Sequence, residues 1–294
     1  MKLGFVGLGR MGAPVVRRLL AAGHQVTGHN RSEGRADALR GEGMAWATTA
    51  REAAAAGDVV FSMVTDADAL RSVCEGPDGI LAGLRPGSLL VDLSTVGPQA
   101  ILHLAAAVRE RGSVLLDAPV SGSPATIAQG RLAFMVGGEP EDVARLRPLL
   151  EDIGQVVTHV GGTGQAALVK LALNLSIAVQ VMVLAEGVAL AEKGGVPRAK
   201  TLEVMLASGI ASPALQYRGP FLLGRPAEAW FDVRMMQKDL QLALDEGRRL
   251  GVPLPTSGVT SQLLVAAEGL GLGAEDFAAL FSVLARLSGL EDPG

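Results

Sequence analysis

The chain of 294 residues is 49% hydrophobic and 19% charged, with a formal net charge of -4 and a pI near 5.6. These values exclude a disordered chain, which needs low hydrophobicity and high net charge, and they supply no basic field for nucleic acid or an anionic membrane surface. The length suits two ordinary domains, and small molecules are the expected partners.

Lys2–Val6 reads as a short apolar strand, and Gly7, Gly9 and Gly12 follow it in G-x-G-x-x-G spacing before the helical stretch Ala13–Ala22. A second strand is predicted over Gln25–His29. In that setting Gly7 permits a tight turn, Gly9 lets the backbone approach a pyrophosphate, and Gly12 lets the helix pack on the strand. The pyrophosphate would sit on the helix N-terminus, where free N–H groups and the helix dipole favour negative charge. The predicted cradle runs through Gly7, Leu8, Gly9, Arg10, Met11 and Gly12.

The second strand ends in "HNRS", His29–Ser32. An NAD-selective site carries Asp or Glu here for the ribose hydroxyls. Asn30 is uncharged, Arg31 can pair a 2′-phosphate through its planar fork, and Ser32 can add a hydroxyl. The pattern predicts NADP in preference to NAD, although a solvated arginine in a turn fits the same residues.

Further strands are predicted at Val59–Met63, Leu89–Asp92, Val114–Ala118, Ala133–Val136 and Val156–His159, with helical stretches Ser32–Arg40, Pro98–Arg111 and Glu139–Asp152 among them. This alternation predicts an α/β fold with a Rossmann-type doubly wound parallel sheet. The single cysteine, Cys74, forms no intrachain disulfide and fits a reducing cytoplasm. Arg10, Arg17 and Arg18 interrupt the apolar start before any signal-peptide core, so the chain reads as mature from Met1.

After "GGTGQ", Gly161–Gln165, strand-like runs stop and an all-α domain is predicted. The expected division is 1–161 for nucleotide binding and 162–294 for substrate and oligomerisation, joined by a long helix from about Gly164 to Lys193. Within it, Leu171–Ala191 is apolar apart from Asn174, Ser176, Gln180 and Glu186. Its length would span a bilayer, but those polar groups would be costly in lipid. The expectation is therefore no membrane, and a homo-oligomer, dimer or tetramer, that buries the helix.

Two stretches carry candidate chemistry. "LLDAPVSGSPATIAQG", Leu115–Gly130, leaves a strand end for a Gly, Ser and Pro loop whose amides can face an anion beside a cofactor. "GTGQAALVKLALN", Gly162–Asn174, sets Lys170 and Asn174 four residues apart on one helix face. A lysine desolvated there can give and take a proton near neutral pH. A lysine whose ammonium reaches solvent fits the spacing equally.

Together these stretches resemble the β-hydroxyacid dehydrogenase family over essentially the whole chain. "GFVGLGRMG", "VDLSTV" at Val91–Val96, "DAPVSG" at Asp117–Gly122, "GTGQAALVKLALN" and "KDL" at Lys238–Leu240 occur in order. The resemblance implies an NADP-dependent oxidoreductase interconverting a small, carboxylate-bearing β-hydroxy acid and its semialdehyde. It implies that Lys170 protonates the carbonyl oxygen as hydride arrives, that Asn174 holds that oxygen, and that Ser121, Gly122 and Ser123 bind the substrate carboxylate. Met63, Val64 and Thr65 would line the cofactor groove, with Thr95, Phe231 and Lys238 near the nicotinamide, and Asp239 would join the substrate site. No metal is implied, and His24, His29, His103 and His159 show no ligand spacing.

The substrate loop departs from the family pattern. Ser123 replaces a glycine, Thr126 and Ile127 stand where Gly-Ala is expected, and Pro124 removes an amide donor. Imine reductases share the glycine motif but usually lack the lysine, and non-catalytic relatives have lost it. Lys170 argues against both, which remain the alternative readings.

Overall fold

In the computed structural model, which describes residues 1–292 and 294, the first of two units, Met1–Lys170, is built on one nine-stranded sheet. Its strands are β1 Lys2–Val6, β2 Gln25–His29, β3 Ala45–Trp46, β4 Val59–Ser62, β5 Leu89–Asp92, β6 Val114–Asp117, β7 Val120–Ser121, β8 Ala133–Gly137 and β9 Val156–Gly161. The order is β3-β2-β1-β4-β5-β6-β8-β7, with β9 on β8. The chain starts mid-sheet at β1, winds out to β3, and returns to β4 on the other side of β1. Its direction of winding therefore reverses between β1 and β4, where doubly wound sheets open a crevice at the carboxyl ends of their strands.

Successive strand residues point to opposite faces, so strands buried on both sides need apolar residues at almost every position. Leu3, Phe5, Phe61, Leu89 and Val91 enter one core with Val15 and Leu19 of the helix Gly12–Ala21. Val6, Val60, Leu90 and Leu115 enter the other, with Ile101 and Val108 of the helix Pro98–Glu110. Cys74 is buried in this second core at the end of the helix Ala67–Cys74, and burial pushes its thiol pKa well up.

The sheet departs from an all-parallel one. β1 to β6 run parallel, but β8 runs antiparallel to β6 and β7. Parallel neighbours need a long crossover, and β7 is joined to β8 only by a short segment carrying the helix Pro124–Ala128. The helix Pro140–Glu151 then supplies a crossover, and β9 is parallel to β8.

The second unit, Leu171–Gly294, holds no strand among its described residues. The helix Gln165–Lys193 enters it and is followed by Arg198–Ala207, Pro213–Arg218, Val233–Leu250, Pro255–Gly269 and Leu280–Ser288. Ala178, Val181, Ala185 and Val188 of the long helix meet Met236, Leu240, Leu264, Phe277 and Phe281 in one core. The architecture is a Rossmann-type α/β sheet followed by an all-α domain.

Candidate active site

The first candidate residues gather where the winding reverses. Gly7 has φ +105°, and a Cβ there would strike the Met63 carbonyl oxygen. A Cβ on Gly12 would strike the Gly7 carbonyl oxygen, so these two glycines let the turn close on β4 and on its own helix. Gly9 differs: a Cβ would meet nothing within 4 Å. No protein neighbour demands glycine at that position, and the open space beside its backbone fits a pyrophosphate.

The turn is tied to the end of β2. Gly7 N–H donates to the His29 carbonyl at 3.0 Å, and Leu8 N–H donates to Asn30 Oδ1 at 3.0 Å. Asn30 Nδ2 donates in turn to the Ser32 carbonyl at 3.0 Å. Asn30 therefore shapes the turn, and the Leu8 amide is spent on it while the Leu8 side chain lies in the core. Met11 packs against the same core, and Arg10, Arg31 and Ser32 are exposed.

The groove wall comes from β4 and β5. Met63 N–H donates to the Val6 carbonyl at 2.9 Å, and Val64 N–H donates to Ser94 Oγ at 3.0 Å. Ser94 and Ser62 both donate to Asp92 Oδ1, each at 2.8 Å. Asp92 is wholly buried, and burial pushes its carboxyl pKa up to about 6 against the pull of these hydroxyls. Thr65 bonds to Asp66, which caps the helix Ala67–Cys74, and Thr95 follows Ser94, half-buried.

Asp117, in register with Asp92 on the neighbouring strand, is also wholly buried. Its Oδ1 accepts from Gly164 N–H at 2.8 Å and its Oδ2 from Ala167 N–H at 2.9 Å. Burial raises this carboxyl too, and the backbone donors pull it back. In the sequence Asp117 only opens the "DAPVSG" motif, with nothing nearby to mark what it bonds. Its partners lie 47 and 50 residues away, beyond any local signal.

β7 leads into the substrate loop. Ser123 N–H donates to Thr126 Oγ1 at 2.7 Å, and Thr126 N–H donates to Ser123 Oγ at 3.3 Å. The pair is a reciprocal cap on the short helix Pro124–Ala128. Two of the departures from the family pattern thus satisfy each other: the Ser123 amide is spent within the loop, while its hydroxyl accepts there and keeps its own O–H to donate. The serine–x–x–threonine spacing, with Pro124 at the first helical position, is the signal for it in the sequence.

Lys170 is half-buried on the helix Gln165–Lys193, and Asn174 lies four residues further along it, 3% exposed. In the second unit, Asn174 Nδ2 donates to Asp239 Oδ2 at 2.5 Å, and Lys238 Nζ is 3.0 Å from Asp239 Oδ1. Phe231 belongs to another cluster of that unit. Asp276 accepts the Trp230 and Phe231 amides and the Arg218 guanidinium, and Phe231 meets Phe277 edge to face.

Known proteins resemble the chain along both of its halves. Residues 2–161 match the family described as the NAD binding domain of 6-phosphogluconate dehydrogenase, and residues 162–284 match the NAD-binding domain of NADP-dependent 3-hydroxyisobutyrate dehydrogenase. The chain is 32% identical to 2-(hydroxymethyl)glutarate dehydrogenase of Eubacterium barkeri, over 100% of this chain and 98% of that one. It is 33% identical to 2-hydroxy-3-oxopropionate reductase of Escherichia coli K12, over 97% of each. A crystal structure of 3-hydroxyisobutyrate dehydrogenase from Salmonella typhimurium superposes with a TM-score of 0.87 at 30% identity, covering 96% of this chain and 99% of that one. The glycine cradle at the reversal of the sheet and these matches along both halves make the chain a member of the β-hydroxyacid dehydrogenase family and an NAD(P)-dependent oxidoreductase.

Proposed function

We propose that this enzyme uses NADP to interconvert a small β-hydroxy acid and its semialdehyde, with Lys170 as the proton donor and acceptor. The observation that carries this reading is the half-buried Lys170 one helical turn before the buried Asn174. The nicotinamide supplies hydride when bound. Lys170 Nζ gives its proton to the carbonyl oxygen as charge develops there, since an unprotonated alkoxide in a dry site would be costly. Asn174 holds the same oxygen. The substrate carboxylate is received by Ser121, Gly122 and Ser123, the last through its hydroxyl, since its amide is bonded to Thr126.

NADP is preferred because Asn30 puts no negative charge beside a 2′-phosphate and the exposed Arg31 can pair with one. We further propose a homo-oligomer. Val183, Leu190, Val204 and Leu287 are 55%, 78%, 69% and 74% exposed on helices of the second unit, and a second copy would cover them.

The test is NADPH oxidation with a panel of small carboxylate-bearing semialdehydes. Lys170→Ala lowers turnover by about 10² to 10⁴ while NADPH affinity holds. Lys170→Arg does not restore it, because a guanidinium stays protonated. Full turnover by Lys170→Ala would overturn the assignment.

A further inference from the structure

We propose that Asp117 is a positioning residue for Lys170: its buried carboxylate fixes the first turn of the helix Gln165–Lys193 and so sets where the lysine amine stands. The inference rests on Lys170 being the proton donor. Both carboxylate oxygens are used on this helix start, one on Gly164 N–H and one on Ala167 N–H. A buried charge is tolerated when it is fully bonded, and an anion at the positive end of a helix is favourable. From Ala167 the rigid helix rises about 4.5 Å to Lys170, at about 1.5 Å per residue.

The base of this contact is also fixed. Asp117 ends β6, and the next residue, Ala118, donates its N–H to the Asp92 carbonyl at 2.7 Å. Four residues on from Asp117, the same segment reaches Ser121. One strand end therefore places both the helix of the acid and the start of the loop assigned to the substrate carboxylate.

A second, independent observation is the room left for the carboxylate. Gly137 of β8 pairs with Asp117, and a Cβ there would lie 2.5 Å from Asp117 Oδ1 and 2.8 Å from the Gly162 carbonyl oxygen. Any side chain at 137 must displace the carboxylate or the turn that opens the helix. Positioning errors of about 1 Å at a reacting group cost on the order of 100-fold in rate. Asp117 and Gly137 should therefore govern turnover without governing nucleotide binding.

The experiment compares Asp117→Asn, Gly137→Ala, Lys170→Ala and, as a control, Thr49→Ala, which removes the cap of the helix Ala50–Ala55 packed on β1. An asparagine can accept from one helix amide but sets its own NH2 against the other. Asp117→Asn and Gly137→Ala are each expected to lower kcat by roughly 10- to 100-fold. The solvent isotope effect on kcat should rise, and KM and the NADPH dissociation constant should stay near wild type. Thr49→Ala should lose stability only. Wild-type kcat in both Asp117→Asn and Gly137→Ala, with Lys170→Ala inactive, overturns the positioning role alone. Parallel losses in kcat, KM and nucleotide affinity reduce Asp117 to a general support of the fold and also overturn it. Retained turnover in Lys170→Ala removes the group to be positioned, and both readings then fall. Should Asp117→Asn not fold, Gly137→Ala decides by itself.

Discussion

Asn174 Nδ2 and Asp239 Oδ2 are 2.5 Å apart, and Lys238 Nζ stands 3.0 Å from the other oxygen of the same carboxylate. Asp239, 1% exposed, is the acceptor that turns the Asn174 amide nitrogen toward the helix Val233–Leu250. Asp239→Ala removes the carboxylate that the Asn174 amide and the Lys238 ammonium share, and is expected to cost about 1 to 3 kcal/mol of stability. On the same helix, the exposed Asp245 meets the exposed Arg248 and Gln241, and Asp245→Ala should cost less than about 1 kcal/mol. Urea denaturation of the two variants, with kcat/KM for Asp239→Ala expected to fall, checks the contrast.

Gly7 and Gly9 separate folding from binding. Gly7→Ala meets both a left-handed backbone and the Met63 carbonyl, so its melting temperature should drop, at a cost on the order of 1 to 3 kcal/mol. Gly9→Ala enters open space and should melt as the wild type does. Its nucleotide dissociation constant should nonetheless rise by about tenfold or more, equivalent to about 1.4 kcal/mol. An unchanged constant in Gly9→Ala would mean that the pyrophosphate does not lie there.

For Arg31, the arithmetic is set by exposure. A charge-assisted contact from a solvated side chain falls at the lower end of its range, so Arg31→Ala should lose about 1.5 kcal/mol of NADPH binding, roughly tenfold. NADH binding should hardly move. Competitive titration of the two nucleotides reads the ratio directly, and a wild-type preference for NADH would contradict the NADP assignment.

Asp92 predicts a pH dependence of stability. Its carboxyl titrates at about 6 in the folded protein against 3.8 ordinarily, because burial disfavours the charge. Between those values the native state binds more protons than the unfolded one, so this group's contribution declines as pH rises and is level above about 6.5. The loss is of order 3 kcal/mol, from about two pKa units at 1.36 kcal/mol each. In Asp92→Asn the group no longer titrates. The stability of the variant relative to wild type should therefore climb between about pH 4 and pH 6 and then hold constant, which chemical denaturation across that range will measure.

Strand and helix periodicity makes most of the sheet and the long helix legible in the sequence. β3 and β7 are not, because two residues, Ala45–Trp46 and Val120–Ser121, cannot display an alternation. Nor does a buried strand announce its direction: the residues of β8 look alike run either way, and only the short connection from β7 to β8 constrains the edge. Among candidate site residues, the glycine turn can be read from spacing, whereas the spacing of Lys170 and Asn174 fits a solvent-reaching lysine equally and the family resemblance supplies their roles. Asp117 and Asp276 cannot be read from spacing, since the amides they accept lie 47 to 50 and 45 to 46 residues away. The family resemblance offers Ser123 as a donor to substrate, and the structure gives its amide to Thr126.

Cys74 turns its helix into a clock. The thiol is wholly enclosed and its pKa is raised by burial, so a maleimide can reach it only when the helix Ala67–Cys74 opens. That helix begins just beyond the Met63–Thr65 turn assigned to the cofactor groove, and opening it would disturb the turn. The labelling rate in the native protein thus reports how often the segment beside that turn opens, without any engineered tag. Nucleotide bound against the turn should slow the labelling by about a hundredfold when present at about a hundred times its Kd.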